Sequence, residues 1–247
     1  MTGNQRHAVT ASEGVRAGLA RLDQSDPGHA ADLTWQWLDE LGKAGDLAAL
    51  EAVFLMGTPL EGADGLTQAR YLASPYGRLV DSLLRRGLGR WWQGHRFSDG
   101  GRCGISNTHR EFRWVWRLMF PGYPRPAGCR GEEVFDFCTV TVEDSKTPGH
   151  WITLLDWHLP PGKMNRVVTA AALPLVRWFV WDLTRSELVA LAGGRVILAR
   201  IPVRIPFGRQ WRTTTYYMHR WVAGGPSLST PELSVNSPYR TSSEESS

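Results

Sequence analysis

Residues 187–205 read ELVALAGGRVILARIPVRI, two apolar, β-branched runs that meet at Gly193-Gly194. Two glycines between such runs signal a tight β-hairpin, because the central positions of its turn need positive φ. The stretch predicts strands over residues 187–191 and 195–205. Working outward, residues 213–222 (TTTYYMHRWV) form the last strand. Upstream, residues 175–183 follow Pro174, and residues 151–159 (WITLLDWHL) end at Pro160-Pro161-Gly162. Residues 132–143 are β-branched and aromatic. Residues 112–120 alternate Phe112, Trp114, Trp116, Leu118 and Phe120 with Arg113, Val115, Arg117 and Met119, the period of two expected of a strand. Weaker strand patterns cover residues 65–72 and 91–97.

Eight to ten strands joined by short turns, with no helices between most of them, imply an antiparallel meander. An open sheet of that many strands curls, and closure removes its edges. The expected fold is mainly β: an antiparallel barrel of eight to ten strands over about residues 62–223, with helices on its N-terminal side (α+β). Asp32 is the expected cap of a first helix carrying Leu33, Trp37, Leu38 and Leu41, and Asp46 caps a second with Leu47, Leu50, Val53 and Phe54. A third is expected over residues 76–88, with Leu79, Val80, Leu83 and Leu84 on its apolar face. Residues 1–30 lack a hydrophobic period and read as a mobile tail, residues 31–223 as one domain, and the Ser/Pro/Glu-rich residues 224–247 as a disordered tail.

Gly89-Arg90-Trp91 matches the G-x-W tripeptide that opens the first barrel strand of lipocalins, and it follows a short helix as it does there. With the strand meander and an aromatic last strand, the chain resembles a lipocalin-like (calycin-type) barrel over about residues 62–223. Lipocalins place an Arg of the last strand over that Trp, and Arg212 and Arg220 are the two candidates here. The resemblance implies a central pocket for a hydrophobic small molecule.

Composition narrows the function. The chain has 247 residues, a net charge of +4 and 12 Trp. Its basic residues are spread along the whole chain among 24 acidic ones, without the clustering that marks nucleic-acid binding, so no nucleic-acid partner is expected. No apolar run reaches the roughly 18 residues of a membrane span, and residues 1–12 lack the apolar core of a signal peptide, so a cytoplasmic location is expected. Three cysteines (103, 129 and 138) without CxxC spacing, and seven histidines without HExxH, point to neither a disulfide framework nor a zinc site. Phosphate-binding glycine loops and the GxSxG elbow are missing.

The candidate chemistry lies on three strands. Ile152, Leu154, Asp156 and His158 share one face of residues 151–159, with Trp151, Leu155 and Trp157 on the other. Same-face neighbours are about 7 Å apart, close enough for the Asp156 carboxylate to orient the His158 imidazole as a general base. Turned inward they are catalytic groups; turned outward they are solvated, and the tryptophans line the lumen. Asp136 poses the same choice against Phe135 and Phe137: a carboxylate in an apolar pocket, or a surface partner for an arginine. Tyr217 and His219 share a face with Trp221 on the last strand, a mixture suited to a pocket wall. Trp114, Trp116, Phe135, Phe137, Trp157, Tyr217 and His219 are therefore the candidate ligand-binding residues, and Asp156, His158 and Asp136 the candidate catalytic ones. The function expected is cyclisation, isomerisation or dehydration of a hydrophobic polyketide-, polyene- or terpenoid-like molecule without cofactor or metal. The alternatives are a non-catalytic carrier of such a ligand and a haem-binding barrel.

Overall fold

The computed structural model describes residues 18, 21–109, 111, 114, 133–156, 185–205, 210–222 and 227–228. Helix α1 (Pro27–Ala44) starts inside the stretch expected to be a tail. Its cap is Asp26 rather than Asp32: the Asp26 carboxylate accepts from His29 N at 3.0 Å, and Pro27 fits the first turn, where its missing N–H costs nothing. Gly45, at φ 69°, ends the helix in the left-handed conformation. Helix α2 (Leu47–Phe54) is capped by Asp46 as its sequence predicts.

Eight antiparallel strands follow: β1 (Ala63–Ala73), β2 (Trp92–Ser98), β3 (Cys103–Thr108), β4 (Glu133–Glu143), β5 (Trp151–Asp156), β6 (Arg185–Leu191), β7 (Val196–Ile205) and β8 (Gln210–Trp221). Each pairs with the next, and β1 pairs with both β8 and β2, so the sheet closes into an eight-stranded antiparallel barrel. A short β9 (Ser227–Leu228), within the expected C-terminal tail, pairs with Ala63 and Asp64. Helix α3 (Arg78–Trp91) joins β1 to β2.

The strand expected over residues 112–120 is corrected at Trp114, which is helical and exposed. The place beside β4 is already taken by β3, whose six residues carry few β-branched side chains and give a weak sequence signal. Residues 175–183 lie outside the described residues. Helix α3 differs from its expectation in the face it buries: Leu79 and Leu83 are exposed, and Asp81 is the buried residue. Asp81 accepts from Tyr71 OH (2.6 Å), Ser74 N (2.8 Å) and Ser74 Oγ (2.6 Å), so polar contacts hold this helix at the barrel rim. Gly89, Arg90 and Trp91 fall in the last turn of α3, so here the tripeptide ends a helix instead of opening a strand.

Two apolar clusters divide the core. Outside the barrel, Trp35 and Leu38 of α1 and Leu50, Val53 and Phe54 of α2 pack on Leu72, Ile152, Val189, Val196, Leu198, Tyr216 and Met218. Inside, Leu60, Phe97, Phe137, Leu155, Leu188, Ile197, Ala199, Tyr217 and Trp221 pack together in the lumen. One end is shut. Leu60 N donates to Thr153 Oγ1 at 2.8 Å, Thr58 bridges to Ala190, and Trp221 Nε1 donates to Gly194 O at 2.8 Å. At the other end lie α3 and the ends of β3, β5 and β7, from which the long connections 109–132 and 157–184 depart.

Candidate functional site

Above the floor of Leu60 and Trp221 lies a cluster of rings contributed by β2, β4 and β8. The His95 and His219 rings stack with centroids 4.8 Å apart and planes 29° apart. The half-buried Trp92 sets its ring edge-on to His95 (5.0 Å), Tyr217 (5.1 Å) and His219 (5.2 Å). Phe137 packs edge-on to His95 at 5.0 Å and to Phe97 at 5.4 Å. Edge-to-face geometry lets each ring edge meet a neighbour's negative face. Close strand approach makes room for it: Gly94, at φ 145°, sits where a Cβ would strike the Thr67 backbone.

Thr67 fixes the state of His219. Its hydroxyl donates to His95 O (2.8 Å) and accepts from His95 N (3.1 Å), and it lies 3.1 Å from His219 Nδ1. The single hydroxyl hydrogen is committed to the carbonyl, so His219 Nδ1 carries the proton and donates. His219 Nε2 is left as a lone pair facing the ring cluster, buried and without a hydrogen-bond partner among the described residues. The Tyr217 hydroxyl and Ser186 Oγ are in the same position, near each other but without an aligned hydrogen bond. Burial pushes the His219 imidazole down to about 3 and the Tyr217 phenol up, so both are neutral at ordinary pH. Burial, then the His219 ring, holds His95 well below the usual histidine range.

The sequence candidates divide sharply. Tyr217, His219 and Phe137 face the lumen. Asp156 lies on the outer face, in phase with Ile152, and sits 3.8 Å from Arg185 in a half-exposed ion pair. For Asp156 this is the outward assignment of the two that strand alternation allows, but Trp151, expected to line the lumen in that case, is exposed. Position 136 pairs with Ile105 and is in register with the exposed Cys138 and Val140, while position 135 is in register with Phe137. The side chains of Phe135 and Asp136, and all of Trp116, Trp157 and His158, lie outside the described residues. Trp114 is exposed. Arg220, a candidate for the lipocalin arginine, lies over the Trp35 ring of α1 at 5.1 Å, on the outside of the barrel, and Arg212 is exposed. Sequence reasoning missed His95, Trp92 and Thr67. The alternation of His95 with Phe97 in the weak 91–97 pattern was the available signal.

A second buried polar cluster lies on the outer wall, beneath α2. Arg200 is fully buried; Nε donates to Glu187 (2.7 Å), Nη1 to Glu51 (2.6 Å) and Nη2 to Asp144. Its guanidinium lies 4.1 Å from the Phe54 ring centroid. Lys146 reaches Glu51 at 2.6 Å, the Tyr216 hydroxyl donates to Glu51, and His150 bridges Asp144 (3.0 Å) and Gly57 O (3.2 Å). Burial raises the Glu51 carboxyl, but Lys146, Tyr216 and Arg200 together hold it below the ordinary carboxylate range. For Asp144, burial is likewise outweighed, by the Lys146 N–H, His150 and Arg200.

No group of three or more metal-ligating side chains converges among the described residues, and no described helix is long and apolar enough to cross a membrane. A groove of about 290 Å³ between α1 and strands β1, β7 and β8, lined by Asp32, Gln68, Arg195 and Arg220, opens outward and contains neither lumen histidine. The fold defines the class of the protein: a closed antiparallel barrel with a shut floor and a neutral, histidine-bearing aromatic lumen. Comparison with protein-family models, curated proteins and solved structures gave no match.

Proposed function

We propose that this is a lipocalin-like, cytoplasmic barrel that holds a hydrophobic, ring-containing small molecule above the Trp92–His219 cluster. The observation that carries the reading is a set of polar atoms in an aromatic interior that lack an aligned partner among the described residues: His219 Nε2, Tyr217 OH and Ser186 Oγ. A buried polar atom without a partner costs about 1–3 kcal/mol, and a ligand that supplies the partner recovers that cost on binding. The lone pair of His219 suits a ligand hydroxyl or N–H, and Tyr217 suits a ligand carbonyl or ether oxygen. Flat apolar area supplies most of the affinity, and the two polar contacts set orientation.

A second reading adds turnover, a cofactor-independent cyclisation, isomerisation or dehydration. Convergence of the Trp92, Phe97, Phe137 and Tyr217 rings favours it, since ring faces stabilise cationic character. Acid–base work by His219 does not, because an imidazole at about 3 is a poor base at neutral pH. In this reading shape and water exclusion do the work.

Native mass spectrometry of freshly purified protein tests the proposal. Retention of an apolar small molecule by the native chain, weakened about tenfold or more in His219→Leu, is the expected result. A Soret band would identify haem instead. A ligand held equally well by His219→Leu and Tyr217→Phe would remove the lumen from the account.

A further inference from the structure

Strands β3 and β4 carry a pair of cysteines with no part in the lumen. Cys103 is half-buried and Cys138 exposed, and the register sets them directly opposite each other on the outward face. Thr139 N donates to Arg102 O at 2.7 Å, one residue beyond the pair on each strand. That bond makes Cys103 and Cys138 a non-hydrogen-bonded pair, the kind whose side chains stand closest in an antiparallel ladder. Such pairs have Cα atoms about 4.5 Å apart, inside the roughly 4.4–6.8 Å span of disulfides. The register is pinned on both sides. Thr139 Oγ1 donates to Gly101 O at 2.5 Å, and a side chain at Gly104 would run into the Phe137 ring.

We propose that Cys103 and Cys138 are a reversible oxidation site that closes a disulfide across β3 and β4. The co-reactant is a low-molecular-weight disulfide such as oxidised glutathione. The exposed Cys138 thiolate attacks one of its sulfurs, and a glutathione thiolate leaves. The Cys103 thiolate then attacks Cys138 Sγ, the mixed disulfide breaks, and the second glutathione thiolate leaves. The two protons lost by the cysteines end on the two glutathiones, and two electrons pass from protein to glutathione disulfide. In a reducing compartment such a bond is transient and responsive rather than structural. It ties together the two strands that flank the long 109–132 connection, and an odd cysteine count conceals it in the sequence.

The test uses the full-length protein in oxidised and then reduced glutathione, with thiols blocked before intact-mass and peptide analysis. The expected product is two hydrogens lighter and links the peptides of Cys103 and Cys138. Its Tm is higher by about 5–10 °C, and reduced glutathione reverses both changes. Cys129→Ser should behave as the parent, whereas Cys103→Ser should stop at a glutathione adduct on Cys138 with no rise in Tm. A link that includes Cys129, a parent that stops at the adduct, or a crosslink that leaves Tm unchanged or lower would overturn the proposal.

Discussion

Tyr216 and Tyr217 are neighbours in the chain, both are buried, and burial raises the pKa of both. Their surroundings are opposite. Tyr216 points out of the barrel into the cluster of Arg200, Glu51, Asp144 and Lys146, where every charge meets a countercharge. Tyr217 points into the lumen, beside the neutral His219, and its hydroxyl has no aligned partner among the described residues. One strand thus separates a charged, satisfied region from a neutral, unsatisfied one. The first clamps α2 to the barrel wall; the second has polar capacity left over. Buried polar groups that satisfy one another serve stability, and those left unsatisfied are where a ligand has something to gain.

The largest break in this contrast should come from Arg200→Met. It leaves the buried Glu187 and Asp144, and the half-buried Glu51, without their common cation and should cost about 3–5 kcal/mol, measured by urea unfolding at pH 7. A loss below about 1 kcal/mol would mean that the cluster is not the clamp described. Next in size is a difference in acid response. His219 titrates near 6.5 in the unfolded chain and near 3 in the fold, so the unfolded state takes up its proton first as pH falls. Stability is therefore intact above about pH 6.5 and is lost towards pH 3, by roughly 1.4 kcal/mol per unit for each such histidine. His95 is shifted in the same direction and adds to the slope. Glu51 and Asp144 are held down, so their stabilisation persists above the ordinary carboxylate range, near pH 4, and is lost as pH falls through their lower folded values. Unfolding measured at pH 7, 6 and 5 should be steep in the parent and shallower by about one proton in His219→Leu. Equal slopes would show that His219 is not held neutral.

The paired phenols give a smaller effect. Tyr216→Phe removes a donor from Glu51 and should cost about 1–3 kcal/mol, while Tyr217→Phe should stay within about 0.5 kcal/mol of the parent, because no bond is lost. Comparable losses in both would erase the distinction between the two faces. Smallest of all, Asp156→Asn removes a half-exposed pair with Arg185 and should change stability by less than about 1 kcal/mol. A larger change would assign Asp156 a role that its outward position does not suggest.

Closure of the barrel was legible because turns and alternation are local signals: Gly193-Gly194 and the strands around it stand where the sequence puts them. Which face looked inward was not. Residues 186–190 and 196–200 are buried on both sides, since helices cover the outer wall, and a strand with two apolar faces loses the period that would orient it. The same covering hides Arg200 under Phe54, a contact that joins residues far apart in the chain. The apolar repeat starts helix α1 later than it begins, because Asp26-Pro27, whose capping chemistry marks the true start, lies before the first apolar residue of the repeat. His219 was visible as a strand residue among aromatics, but its tautomer depends on Thr67, 152 positions away.

The shut floor has a kinetic consequence. With Leu60 and Trp221 across one end, a ligand held in the lumen would enter and leave on the side away from them. A second molecule cannot push the first out from below. Release should then be first order and indifferent to the concentration of a competitor, and two ligands of equal affinity would exchange only as fast as the occupant departs.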